Sequence, residues 1–433
     1  MPKTRSFLID NMSAIELQGY NKVADNTYVN LVPMFAGKYV EELPWDERYS
    51  DVPFDNFTFI WSMLSDIGYR TLYAEDAPQI AIFNYNKAGF HRPPADYYLR
   101  PFSLALEDHG SMWKNDHDCA GNKLETVIVL DWITEFEETF KDDPHLSFSF
   151  ITRLTHDNVN KARLADEPYY NFFQRLHSRG LLDNSFVIFY SDHGMRFGDI
   201  RQTYVGKMEE RLPFMYIVLP KRLVTDYPQM AAAVRLNANR LTTPFDIYES
   251  LVNLIAFDGI HYPNAISSRG MTLFSEIPLD RTCEHATILP HWCTCHETEE
   301  VRVDDEAVLY GANHVVKHIN NLLKIHESRC AVLSLASISD ARKIIPNDRV
   351  MRYLSSLHDV LGRTVRFASE QRFAEYQLVF STNPGGGTFE ATVRLSGTKQ
   401  NDVEIADISR INEYGLQSVC IDFHTHKKFC YCV

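Results

Sequence analysis

The chain has 433 residues, is 45% apolar and carries a formal net charge of -14. That length fits one large α/β domain with an appendage, and the apolar fraction excludes a chain disordered throughout. The acidic balance excludes nucleic acid as a partner, while one local cationic pocket remains compatible with it.

In chain order, Met1-Pro-Lys-Thr-Arg-Ser-Phe-Leu8 comes first, and no signal peptide, anchor or transmembrane run is visible. Asn26-Thr27 reads as a helix N-cap, with Val29, Leu31, Val32 and Phe35 as the apolar stripe and Gly37 ten residues after Thr27. A helix N-terminus also favours an anion, so Thr27, which the spacing alone reads as a cap, has the alternative of facing a phosphate or sulfate. Residues 57–68 read as a helix stopped by Gly68, followed by a strand over 69–76. Glu75 and Asp76 at its end read as a solvated turn, with a site role as the alternative. Residues 78–122 read as a long irregular insertion.

Helical spacing runs from Lys123 to Phe140, and Leu146–Ile151 reads as a strand leading to His156. Residues 166–182 form an amphipathic helix whose aromatic stripe is core. Phe186-Val-Ile-Phe-Tyr190 is a short apolar run bounded by Asn184 and Gly194, the signature of a buried strand. It empties into Ser191-Asp-His-Gly194. Ligand groups in open α/β sheets sit at such carboxyl ends, and an adjacent carboxylate and imidazole can face one cation. The plain alternative is a capping Asp192 and a surface His193.

Lys207, Glu209 and Glu210 read as a solvated turn before the strand Leu212–Pro220, and residues 242–255 as a helix with a Thr cap and a first-turn Pro. Arg196 and Arg201 could each hold an anionic substrate bidentately or make a surface ion pair. In the tail, Ala307–Ile325 reads as helix, and residues 376–380 and 390–395 as strands joined by a Gly-rich turn. The Gly385-Gly-Gly387 run lacks the Lys-Ser/Thr of a phosphate-binding loop. The organisation expected is an α/β domain over 1–295 and a smaller α+β part over 296–433 with a Cys-rich end.

There are eight cysteines, seven of them at or after Cys283. Cys293-Thr-Cys295 and Cys430-Tyr-Cys432 suggest disulfides and an oxidising compartment. The rival is a zinc site over Cys283–His296, although it lacks paired C-x₂₋₄-C spacing. Two sequons, at Asn11 and Asn56, fit an extracellular glycoprotein.

Gly180-Leu-Leu-Asp-Asn-Ser185, the strand with Ser191-Asp-His-Gly194, Arg201-Gln-Thr-Tyr-Val-Gly206, Glu209-Glu-Arg-Leu-Pro213 and Ile217-Val-Leu-Pro220 stand in one order. Together they resemble the alkaline phosphatase and sulfatase superfamily, and most closely the animal sulfatase-like family of unknown function, DUF229. The helix at Asp246-Ile-Tyr248 and the turn Ser267-Ser-Arg-Gly-Met-Thr-Leu-Phe274 extend the resemblance over roughly residues 1–275.

The resemblance implies a mostly parallel sheet flanked by helices. It implies a divalent metal (zinc, manganese, magnesium or calcium) on Asp192 and His193, and Thr27 as nucleophile. His156 would assist the leaving group, since imidazoles exchange protons near neutral pH, and Arg201 would hold an outer substrate oxygen. Thr27-Tyr-Val-Asn-Leu31 departs from the Cys-x-Pro-x-Arg of usual sulfatases and looks more like the phosphodiesterase branch. In the family a metal-binding Asp on a preceding strand comes before the Met-Pro-Lys-Thr-like segment. The expectation here is an N-terminally shortened form without that ligand, or substitution by Asp10 or Asp25.

The function expected is hydrolysis or transfer of phosphate or sulfate esters, with a glycan or lipid head group as substrate and a secretory or extracellular location. The alternative from another class is a catalytically inactive extracellular binding protein on the same scaffold.

Overall fold

The computed structural model describes residues 1–45, 51–108, 118–259, 269–345, 373–396, 402–422 and 424–433. Its helices in chain order are α1 (Pro2–Asp10), α2 (Thr27–Ala36), α3 (Ile60–Asp66), α4 (Arg100–Asp108), α5 (Glu125–Thr139) and α6 (Ala162–Ser178). After them come α7 (Tyr204–Arg211), α8 (Lys221–Asp226), α9 (Pro228–Asn237), α10 (Pro244–Ala256) and α11 (Glu306–Leu323). The strands are β1 (Ile15–Glu16), β2 (Arg70–Glu75), β3 (Tyr97–Tyr98), β4 (Cys119–Ala120), β5 (Lys123–Leu124), β6 (His145–Phe150), β7 (Val187–Tyr190) and β8 (Met215–Val218). Five more follow: β9 (Glu297–Glu300), β10 (Ser334–Ile345), β11 (Phe373–Asn383), β12 (Gly387–Ser396) and β13 (Asp402–Arg410).

The chain divides into two compact units. The first comprises residues 1–20, 26–192 and 213–278; the second comprises 21–25, 193–212 and 279–433. The second therefore takes residues 21–25, 193–212 and 279–295 from within the first 295.

The first unit is α/β with a parallel sheet. β2 pairs in parallel with β3 on one side and β6 on the other, in register Thr71 to Leu146 and Glu75 to Phe150. β2 is buried from Thr71 to Glu75, as a parallel strand covered on both faces must be. A second sheet has the order β1-β8-β7, with β8 antiparallel to both neighbours. Phe35, Phe59, Trp61, Tyr73, Phe83 and Phe148 interlock in edge-on and stacked pairs at the centre of this unit. Burying each such ring is worth roughly 1.5–3 kcal/mol.

Local chemistry explains the ends of these elements. α10 begins with Thr243 as cap and Pro244 at its first turn, and Asp246 reaches back to accept the Thr243 N–H at 2.8 Å. α2 ends at Gly37, whose φ of +64° favours glycine and whose absent Cβ leaves room for the Tyr248 ring. α3 is shorter than its spacing suggests, because Phe57 and Phe59 are extended and turn their rings into the aromatic core.

α6 starts at Ala162, four residues earlier than expected, and Asp166 lies inside it. Asp166 instead caps α1 from a distance, accepting the N–H of Thr4 at 2.9 Å and of Lys3 at 3.1 Å. Burial pushes this carboxyl up, and the two N–H donors more than offset that, holding it below its ordinary value. Asp166→Asn is expected to cost about 1 kcal/mol in urea unfolding at neutral pH. The folded value is depressed, so the stabilisation is full above the unfolded value of ~3.9 and is lost as pH falls through the folded one. The gap between parent and variant should therefore close in acid.

The second unit is an antiparallel sheet of order β13-β12-β11-β10-β9, with α11 packed on it. Val308, Ala312, Val315 and Ile319 of α11 meet Leu378, Phe380, Phe389 and Val393 in one apolar cluster. Disulfides Cys283–Cys293, Cys330–Cys430 and Cys420–Cys432 staple this unit, while Cys295 and Cys119 are free thiols. Cys283 and Cys293 are bonded to each other, which removes them from the rival zinc reading. α7 replaces the solvated turn expected around Lys207, and Glu210 on it is buried. Among the described residues no helix is long and apolar enough to cross a membrane. Residues 109–117 of the expected insertion, and Ser267 and Ser268 of the expected turn, lie outside the described residues.

Candidate active site

β7 is the strand expected from the apolar run, and its carboxyl end leads through Ser191 to Asp192. The Ser191 N–H donates to the Phe214 carbonyl at 3.0 Å, which continues the pairing with the β8 side. Asp192 is buried, 6% exposed. The hydroxyls of Tyr20 and Tyr190 are buried beside it. Burial, then Tyr190, Asp192 and Asp246, pushes the Tyr20 hydroxyl up; burial, then Asp192 and Glu75, does the same to Tyr190. Tyr20 thus stands in the field of Asp192 at the end of β7 and of Asp246 in the first turn of α10. α10 packs on α2, the helix that Thr27 opens.

Thr27 is partly exposed and is the first helical residue of α2. The cap is Asn26, extended at φ -122° and ψ -178°, and its side chain makes no capping hydrogen bond. An anion at this helix N-terminus would meet the positive end of the helix dipole.

His193 opens the segment 193–212 of the second unit, and the boundary between the units falls between it and Asp192. Its Nδ1 lies 2.7 Å from the Gly194 carbonyl. A carbonyl only accepts, so Nδ1 carries the proton and Nε2 presents the lone pair in the neutral ring. A hydrogen bond from the ring's other nitrogen to a carbonyl is what orients a metal-ligating imidazole. Gly194 is required for close approach: its N–H donates to the Glu210 carbonyl at 3.0 Å, and a Cβ there would sit 2.4 Å from the Glu209 carbonyl oxygen.

In donor chemistry the pair fits a divalent ion. A buried carboxylate and an imidazole whose tautomer is set by its other nitrogen supply two ligands, and ions such as Mg²⁺ complete their shells with water and substrate oxygens. Among the described residues, groups of three or more His, Cys, Asp or Glu ligand atoms within 4.8 Å occur only at Cys283, Cys293 and Cys295 and at Cys330, Cys420 and Cys430. Both contain disulfide sulfur. Asp25, the expected replacement ligand, is paired with Arg196 at 3.0 Å; Asp10, the other, is exposed at the end of α1 and accepts the Ser6 hydroxyl at 2.6 Å.

His156 lies in the turn after β6, exposed, with Nδ1 2.6 Å from the Asp157 carboxylate. Arg201, expected at an outer substrate oxygen, is 3% exposed and donates to Glu390 at 2.6 Å inside the second unit. Its guanidinium is committed to a carboxylate rather than presented to solvent.

Two charged stretches that the sequence presents as solvated turns are buried in the structure. Glu75 and Asp76 are buried at the carboxyl end of β2. Burial pushes the Glu75 carboxyl up to about 7, although the Ile82 N–H donates to it at 2.8 Å. Asp76 accepts the N–H of Thr152 at 2.8 Å and of Arg153 at 3.0 Å, and Arg153 also bonds Glu107 and Glu125. The second is Lys207 and Glu210, which join Lys22, Arg201, Arg211 and Glu390 in a buried ion cluster. Burial pushes the Lys207 ammonium down to about 8 and the Arg211 guanidinium down to about 10. Lys22 falls well below its ordinary value through burial and the nearby arginines. No local sequence pattern marks such burial, because the partners are far apart in the chain.

An α/β domain with a parallel sheet and an Asp-His pair at a strand end defines the class. The chain matches the family described as "Protein of unknown function (DUF229)" over residues 1–339, and it belongs to that family. No curated protein matches it. Among solved structures it is similar to the lipoteichoic acid synthase LtaP from Listeria monocytogenes, at 12% identity and a TM-score of 0.39, covering 63% of this chain and 68% of that one. It is also similar to the C-terminal periplasmic domain of EcEptC from Escherichia coli in complex with Zn, at 12% identity and a TM-score of 0.34, covering 63% and 79%.

Proposed function

We propose that the chain is a metal-dependent hydrolase or transferase of phosphate or sulfate esters, with Thr27 as nucleophile. The observation that carries this reading is the pairing of Asp192 and His193 at the carboxyl end of β7, with Nε2 of His193 as the lone-pair nitrogen. Asp192 and His193 would hold the ion, which supplies positive charge against the nonbridging oxygens of the ester. The N-terminus of α2 binds the anionic group and aims it at the Thr27 hydroxyl, whose oxygen attacks in line as its proton passes to water; the ester formed on Thr27 is then cleaved by water or by an acceptor hydroxyl. His156 gives a proton to the leaving oxygen, with Asp157 orienting its ring through Nδ1. The three disulfides favour an oxidising, extracellular or secretory setting. A lipid or glycan head group bearing a phosphate or sulfate is the substrate class.

The test is metal content after extensive dialysis. The parent is expected to keep about one ion per chain, and the Asp192→Ala/His193→Ala double variant none. A well-folded parent without metal and without ester turnover would overturn the reading and leave a binding protein on this scaffold.

A further inference from the structure

Glu390 lies in β12, is 1% exposed, and falls beyond residue 339, where the family match ends. Its carboxylate gathers three cations from one stretch of chain. Oε2 accepts from Arg201 at 2.6 Å; Oε1 accepts from Arg211 at 3.0 Å and lies 2.8 Å from the Lys207 ammonium. Glu210, on the same helix as Lys207 and Arg211, lies 3.5 Å from Arg201 and bonds the buried ammonium of Lys22.

Lys22 ties in the other short segment of this unit. Its N–H donates to the Arg211 carbonyl at 3.0 Å, and its ammonium sits 4.1 Å from the centre of the Trp292 ring. Trp292 is itself fixed, its indole N–H donating to Asp407 at 3.1 Å. Four cations, Lys22, Arg201, Lys207 and Arg211, thus share two carboxylates. Glu390 is the carboxylate that the three on 193–212 share, so its loss would leave them repelling one another more strongly out of water.

The two segments held this way border the proposed reacting groups. Residue 25 is followed by the Asn26 cap and Thr27, and residue 193 is the imidazole. We propose that Glu390 is a positioning residue for His193, its carboxylate setting the path of the loop that carries this imidazole and, through Arg211 and Lys22, of residues 21–25. This rests on the function proposed above. It makes the C-terminal sheet part of the scaffold of that loop and assigns a role to a residue outside the family match.

The experiment compares full-length parent, Glu390→Gln and Glu404→Gln, the last an exposed carboxylate on neighbouring β13. Amide hydrogen exchange is followed in residues 21–25, in 193–212 and in α11. Zinc and manganese titrations and steady-state ester kinetics are run beside it. Glu390→Gln is expected to speed exchange in both short segments at least about tenfold with α11 unchanged, and to weaken metal binding about tenfold. It should lower kcat while leaving KM in place, and Glu404→Gln should change none of these. Exchange in the two segments indistinguishable from the parent would overturn the proposal. If Glu390→Gln also loosens α11, Lys207→Gln at the rim of the cluster decides by the same criteria. A parent that binds no metal and turns over no ester would strike the proposed function alone, since the exchange comparison still decides the role of Glu390.

Discussion

Thr27→Ala is expected to lower turnover of a phosphate or sulfate ester by at least about 10³-fold, while metal content and unfolding midpoint stay near those of the parent. Thr27 is the first helical residue of α2. It is partly exposed, it follows the Asn26 cap rather than being the cap, and alanine is the better helix former at this position. Its replacement should shift stability by no more than about 0.5 kcal/mol. A collapse in rate at unchanged stability therefore isolates the hydroxyl. Thr27→Ser keeps the hydroxyl and should retain much of the rate. The measurement is steady-state hydrolysis of nitrophenyl phosphate mono- and diesters and of nitrophenyl sulfate, with urea unfolding of each variant. Turnover in Thr27→Ala within a few-fold of the parent would remove Thr27 as nucleophile.

What the sequence disclosed was local chemistry. The apolar run at Phe186–Tyr190, the Thr cap and first-turn Pro of α10 and the spacing of α5 each depend on neighbours within a few residues, and each has its counterpart in the structure. The failures share the opposite property. Lys207 and Glu210 look solvated until Glu390 and Lys22 arrive from distances of 183 and 188 residues in the chain. Glu75 and Asp76 look like a turn until Ile82, Thr152 and Arg153 bring N–H groups to them. β13 was missed because its alternation breaks. A register shift opposite Thr392 and Val393 separates inward Ile405 from inward Ile408 by three residues instead of two. The cysteine spacings suggested disulfides without their pairing: Cys293 bonds Cys283 and leaves Cys295 free, and Cys430 reaches back to Cys330.

Glu210→Ala is expected to cost about 3–5 kcal/mol of the second unit's stability, because it strands the Lys22 ammonium among Arg201 and Arg211 at essentially no exposure. Replacing both partners with apolar groups of similar size, Lys22→Met with Glu210→Leu, should recover most of that loss, since neither charge must then be held out of water. The measurement is urea unfolding followed by hydrogen exchange in α11, which reports the second unit without assuming one transition for the whole chain. A Glu210→Ala cost below about 1 kcal/mol would mean the pair is solvated or neutral in solution. The apolar double variant then separates two reasons for burying charge. If it is stable and keeps metal affinity and turnover, the Lys22–Glu210 pair is one packing solution among several. If it is stable yet loses them, the pair is there to hold residues 21–25 and 193–212 in register with each other, at the cost of core stability that an apolar cluster would have supplied.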